Sequence, residues 1–117
     1  MLTLLLTAAL AQAPEAELPP DTPVSELPDA VQSVFAEGEA AWERGDLAEA
    51  EAKLVTVTEQ APAFSRGWRR RCGAVLAQDR ADQALPHCRK AVELDPTFRN
   101  RTALAIVLLQ TEGGQDE

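Results

Sequence analysis

Phe64-Ser65-Arg66-Gly67-Trp68-Arg69-Arg70-Arg71-Cys72-Gly73-Ala74-Val75-Leu76-Ala77-Gln78, then a short polar break, then Ala81-Asp82-Gln83-Ala84-Leu85-Pro86-His87-Cys88-Arg89-Lys90-Ala91-Val92-Glu93-Leu94-Asp95-Pro96: this stretch decides the fold. Apolar or small residues at 68, 72, 75 and 76, and again at 84, 85, 88, 91, 92 and 94, keep helical spacing on both sides of the break. The spacing predicts two amphipathic helices joined by a tight turn. Neither helix can bury its stripe alone, so the hairpin must close and then find neighbours.

A shift of the sequence by 34 residues finds those neighbours. Phe64 falls on Phe98, Pro62 on Pro96, Ala50 on Ala84, Ala40 on Ala74 and Glu59 on Glu93. Size is kept where identity is not, with Gly38 on Cys72, Trp42 on Leu76 and Val57 on Ala91. A helix–turn–helix unit of this period resembles the tetratricopeptide repeat. Trp68, Cys72, Ala84, Cys88, Ala91 and Pro96 fill that family's six signature positions in the second unit; Val34, Gly38, Ala50, Leu54, Val57 and Pro62 fill them in the first. Glu37 and Arg71 depart from the usual Leu, and Ala41 and Val75 from the usual aromatic. The resemblance implies an all-α fold, a short right-handed solenoid of five helices. It covers residues 29–113, as units 31–64 and 65–98 and a half unit 99–113.

The chain of 117 residues supports one small domain, and its net charge of −8 is unevenly placed. Residues 12–62 hold twelve acids against two bases, whereas residues 63–98 hold four acids against seven bases. The reversal points to internal attraction or an acidic partner and argues against general nucleic-acid binding.

Met1–Leu10 is an apolar run without charge, and Ala9-Leu10-Ala11 places small residues where a signal peptidase reads. Such a run is too short to span a bilayer of about 30 Å and suits a signal-peptide core over residues 1–11, although no Lys or Arg precedes Arg44. The expectation is a periplasmic or secreted protein; with the signal inactive, a cytoplasmic one. Residues 12–28 carry Pro14, Pro19, Pro20, Pro23 and Pro28 among like charges and read as an extended linker. Residues 114–117 read as an acidic tail.

The domain's punctuation is specific. Asp29 or Pro28 opens the first helix, and Gly45 ends it where a left-handed residue is wanted. Asp46 caps the second, with Glu49 at capping-box spacing. The third starts near Ser65 and the fourth near Ala81 or Asp82, with Pro86 about one turn inside; Thr97 caps the fifth. That last helix holds seven consecutive apolar residues, Ala103 to Leu109. Thr102, Ala105, Ile106 and Leu109 continue positions that the next helix would cover in a longer array. They are expected to form an association face, separate from any groove, met by a second copy or a partner chain.

Catalytic constellations are not legible: there is one His, no Tyr and no glycine-rich strand-to-helix turn. The expectation is a protein without catalytic, metal or cofactor residues. His87, Cys88 and Cys72 make a metal site on paper only, since adjacent helical residues point about 100° apart. Cys72 and Cys88 lie at similar height on the hairpin, and two readings stay open: buried thiols, or a disulfide in an oxidising compartment.

By the resemblance, the concave surface would show Gln32, Phe35, Glu39, Trp42, Arg66, Arg69, Gly73, Leu76 and Asn100, with Arg70 beside them. A peptide bearing acidic or C-terminal carboxylate groups would suit these guanidinium groups. The bland alternative is that the arginines merely neutralise Glu39, Glu43 and their neighbours. Family members that clamp the acidic C-terminus of heat-shock chaperones use Lys and Asn where this chain has Phe35 and Glu39, so that particular role is not implied. The resulting expectation is a non-catalytic exported module that binds a protein or peptide within an envelope assembly; the alternative is a self-associating structural element that completes its core across a homodimer through residues 98–112.

Overall fold

The computed structural model describes residues 22–116. The signal-like run 1–11, most of the linker and Glu117 lie outside the described residues. Five α-helices follow one another: α1 (Asp29–Glu43), α2 (Leu47–Gln60), α3 (Ser65–Leu76), α4 (Ala81–Leu94) and α5 (Phe98–Asp116). No strand occurs among the described residues. Each helix packs against the next, and α3 also reaches α5, so the fold is a helical repeat stack.

The punctuation explains the helix ends. Gly45 sits at φ 80°, a left-handed conformation that costs glycine nothing. The Asp46 carboxylate then accepts from the Glu49 backbone N–H at 3.2 Å. The reciprocal half of the capping box is not made: Glu49 turns its own carboxylate to Arg44 at 2.6 Å. Thr97 caps α5 by accepting from the Asn100 N–H at 3.1 Å. Pro86 lies inside α4, past its unpaired first turn (Ala84 already donates to the Arg80 carbonyl at 3.0 Å), so its missing N–H costs the helix the one bond that would run to Asp82.

Two apolar clusters form the core. Around the first hairpin, Leu27, Val31, Phe35, Leu54, Val57 and Phe64 close on one another, with the Phe35 and Phe64 rings edge to face at 5.3 Å. Gly67 makes this contact possible, because a Cβ there would come within 3.1 Å of Val57 and 3.2 Å of Phe64. Around the second hairpin, Cys72, Val75, Ala84, Cys88 and Val107 pack together.

Two boundaries differ from expectation. The linker ends before residue 24: Val24–Glu26 forms a 3-10 turn, Leu27 is buried in the first cluster, and the Gln32 amide donates to the Leu27 carbonyl at 2.7 Å. Leu27, with Val24 packed against the same cluster, anchors the segment. At the other end, α5 runs through Gly113 and Gly114 to Asp116, so there is no break at residue 113. Glycine in a helix costs about 1 kcal/mol relative to Ala, which is a penalty and not a prohibition.

Candidate functional site

The arginines of α3 come from one helical run, and packing gives each a different task. Arg70 pairs with Glu39 of α1 at 2.9 Å. Arg69 donates to the Asn100 side-chain oxygen at 3.0 Å. Arg66 lies over the Phe35 ring, 5.4 Å from its centroid. The reading of these residues as internal neutralisers therefore holds for Arg70 directly.

Phe35 and Asn100 do not offer the open surface expected of them. Phe35 is only 4% exposed, sealed by Phe64 beneath and Arg66 above. Asn100 is 1% exposed, and its amide donates to the backbone carbonyls of Asp95 at 2.7 Å and Ala91 at 3.3 Å. It fastens the start of α5 to the end of α4 and holds Arg69 from below. Burying an amide this deeply is stable because its donors and acceptor are all satisfied.

Trp42, Arg69, Arg70, Gly73 and Leu76 do converge. With Ala103, Ile106 and Val107 of α5 they line a hollow of about 210 Å³, whose floor is Cys72 and Cys88. Those cysteines are joined in a disulfide, with Cα atoms 5.4 Å apart. The thiolates that a metal site would require are thus committed to each other. Gly73 faces the Trp42 ring with room for a Cβ at an ordinary 3.6 Å.

This geometry corrects one expectation. Ile106, expected on a face separate from the groove, lines the same hollow as Trp42 and Leu76 while staying partly exposed. The stack brings α5 beside α3, so the near edge of the α5 face becomes a wall of the hollow. Thr102, Ala105 and Leu109 lie outside its lining and are exposed. Gln32 is turned to the loop carbonyls of Ser25 and Leu27 and also stays out of the hollow.

A polar cluster on the other side of α3 escaped the sequence reading. Glu51 of α2 accepts from Arg80 at 2.8 and 3.1 Å and from Gln78 at 2.9 Å, tying the α3–α4 turn to the first unit. The Arg80 hydrogen bond is the main reason its carboxyl titrates below the usual range. Arg71, where the repeat pattern that the sequence resembles has Leu, donates to the buried Thr58 hydroxyl at 2.9 Å and lies 5.5 Å from the Trp68 ring centroid. His87 stacks on the other partner of this group, Trp68, at 6.0 Å. Burial, and then the Arg71 charge, hold the His87 imidazole below its usual pKa. These pairings join residues far apart in sequence, and periodicity carries no signal for them.

No family model matches the chain. Among curated proteins it is similar to a heat shock protein sti1 homolog of Schizosaccharomyces pombe, with 32% identity over 85 residues. The match takes in 70% of this chain. It spans only 14% of the relative. The similarity and the five-helix stack are together compatible with a tetratricopeptide-type repeat.

Proposed function

We propose that the chain is a non-catalytic, tetratricopeptide-type module that holds a segment of a partner protein in the hollow between α1, α3 and α5. The observation that carries this reading is the hollow itself: an apolar floor and walls with Arg69 and Arg70 at its rim. An apolar side chain would enter beside Trp42 and Leu76, and a neighbouring carboxylate would meet the guanidinium groups. The similarity to the sti1 homolog supports a protein partner over a small-molecule substrate. Gly73→Leu would fill the hollow from its floor without burying a charge. Fluorescence-polarisation screening of a peptide library with apolar-acidic C-termini should find binders that this variant loses and that Gly73→Ala keeps. Equal binding to Gly73→Leu would remove the hollow from the mechanism.

We further propose that the mature chain begins at Gln12 outside the cytoplasm. The apolar Met1–Leu10 run and the Cys72–Cys88 bridge support this, since disulfides persist in oxidising compartments. The intact mass of native protein checks it, and a mature chain that retains Met1 would refute it.

A second reading, self-association through α5, is favoured by Ile106 at 45% and Leu109 at 70% exposure. Leaving two such side chains wet forgoes several kcal/mol at about 1.5–3 kcal/mol each.

A further inference from the structure

The floor of the hollow is a bond that can be broken. Cys72 of α3 and Cys88 of α4 form it, and both line the hollow. Each is 1% exposed. Val75 and Ala84, packed against them in the same cluster, are as deeply buried and lie outside the lining of the hollow. One side of the bridge is thus closed by packing, and the other side opens on the hollow.

Reduction replaces one bonded pair of sulfurs by two thiols, which must stand at the non-bonded distance of about 3.5–4 Å. A close-packed interior has no room for that displacement, so it is taken up where space already exists. That space is the hollow. Sulfur moving into it narrows the place beside Trp42 and Leu76 where an apolar side chain would enter. Gly73, next to Cys72, faces the Trp42 ring with space for one methyl group at 3.6 Å, so small shifts of α3 count.

We propose that the Cys72–Cys88 bridge is a redox latch on the hollow: bridged, it keeps the site open to a partner segment, and reduced, it closes it. The proposal rests on the peptide-binding reading and adds its regulation. The co-reactant is a dithiol. One of its thiolates attacks a bridge sulfur, the Cys72–Cys88 bond breaks, and a mixed disulfide forms while the other cysteine leaves as a thiolate. The second sulfur of the dithiol then attacks the mixed disulfide and frees the remaining cysteine. Two electrons and two protons pass to the protein, and the dithiol departs as a disulfide. Arg69 and Arg70 line the same hollow, and cationic groups favour the thiolates through which exchange runs. A ligand that binds the bridged form more tightly must protect the bridge from reduction by the same factor.

Fluorescence polarisation tests it, with the apolar-acidic peptides that bind the full chain and not its Gly73→Leu variant. Affinity is measured before and after reduction by dithiothreitol, with circular dichroism alongside. The reduced chain should keep its helical signal and bind these peptides about tenfold more weakly. Saturating peptide should raise the ratio of reduced to oxidised dithiothreitol needed to open the bridge by that same factor. Cys72→Ala combined with Cys88→Ala, which has neither the bond nor the crowding sulfurs, should bind equally with and without reductant. If no peptide binds the bridged chain, the hollow is not the site and the latch falls with that reading. Equal affinity before and after reduction, with the helices retained, refutes the latch and leaves the site. Loss of the helical signal on reduction also refutes the latch, because the bridge then holds the fold and not the hollow.

Discussion

The two hairpins have the same period and close by different means. The first uses apolar bulk: Phe35, Leu54, Val57 and Phe64 fill the space between α1 and α2 and seal it against α3. Its turn has glycine at the left-handed residue and an aspartate cap immediately after. The second has Cys72, Val75, Ala84 and Cys88 at its centre, where the largest of these is a valine. Its turn has Asp79 at φ 60°, 34 residues after Gly45, and Arg80, at the N-cap of α4, gives no side-chain cap. What the second hairpin lacks in buried volume and turn chemistry, it regains in one covalent bond and the Glu51 clamp. A repeat thus conserves shape while the source of its stability changes from unit to unit.

The largest expected effects test that division. Leu54→Ala should cost about 2–5 kcal/mol in chemical denaturation, because a cavity opens at a site that is 1% exposed. Replacing Cys72 and Cys88 together by Ala should cost about 3 kcal/mol, since the bridge closes a loop with a sequence separation of 16. Leu54→Ala should cost the same with or without reductant, and reductant should add nothing to the cysteine double variant. If reduction leaves the wild-type midpoint unchanged, the second hairpin has another source of stability and the comparison fails.

A smaller effect concerns the turns. Asp79 holds a left-handed backbone that an L-residue adopts at a cost, although Asp tolerates it better than most. Asp79→Gly should therefore raise the stability of the second hairpin by up to about 1 kcal/mol, offset in part by the greater entropy that glycine loses on folding. Gly45→Ala should act in the opposite direction by at least as much, which thermal unfolding of the two variants would show. Destabilisation by Asp79→Gly would mean that the aspartate side chain supports the turn.

How much of this was legible from sequence follows the same physical line. The helices and their order came from periodicity and punctuation: Gly45, Asp46 and Thr97 do locally what those residue types do in general. The candidate site was legible only in part. Position within a repeat gives direction around a helix, and it placed Trp42, Arg69, Gly73 and Leu76 on one wall. It does not give depth, so Phe35 and Asn100 were counted as surface when neighbours cover both. It does not give curvature either, so Ile106 was assigned to a separate face. The bridge stayed open because helix axes usually lie 8–10 Å apart; small residues such as Ala84 allow the closer approach seen between Cys72 and Cys88. Glu51 and Arg80 are 29 residues apart, and no pattern of apolar residues reports an ion pair.

The smallest expected effect is a pH dependence from two groups beside the second hairpin, His87 within it and Glu51 clamped to its turn. His87 stacks on Trp68 and is partly desolvated, with the Arg71 charge nearby, so its folded pKa lies below the usual value of about 6.5. In the unfolded chain it titrates near that value. Between the two pKa values the unfolded state binds more protons than the folded one, so stability rises with pH across that window. As pH falls through about 6.5 the protein should lose stability gradually, and the loss should level off once pH is below the folded pKa. Glu51 acts in the same direction at lower pH: its depressed folded pKa contributes stability that is lost on further acidification. The two contributions separate by variant. His87→Gln should flatten the upper part of the profile and leave the acid limb, and Glu51→Gln should do the reverse. NMR titration of the imidazole gives the His87 value directly, and a folded pKa above 6.5 would show that the histidine is held by an acceptor and not by desolvation.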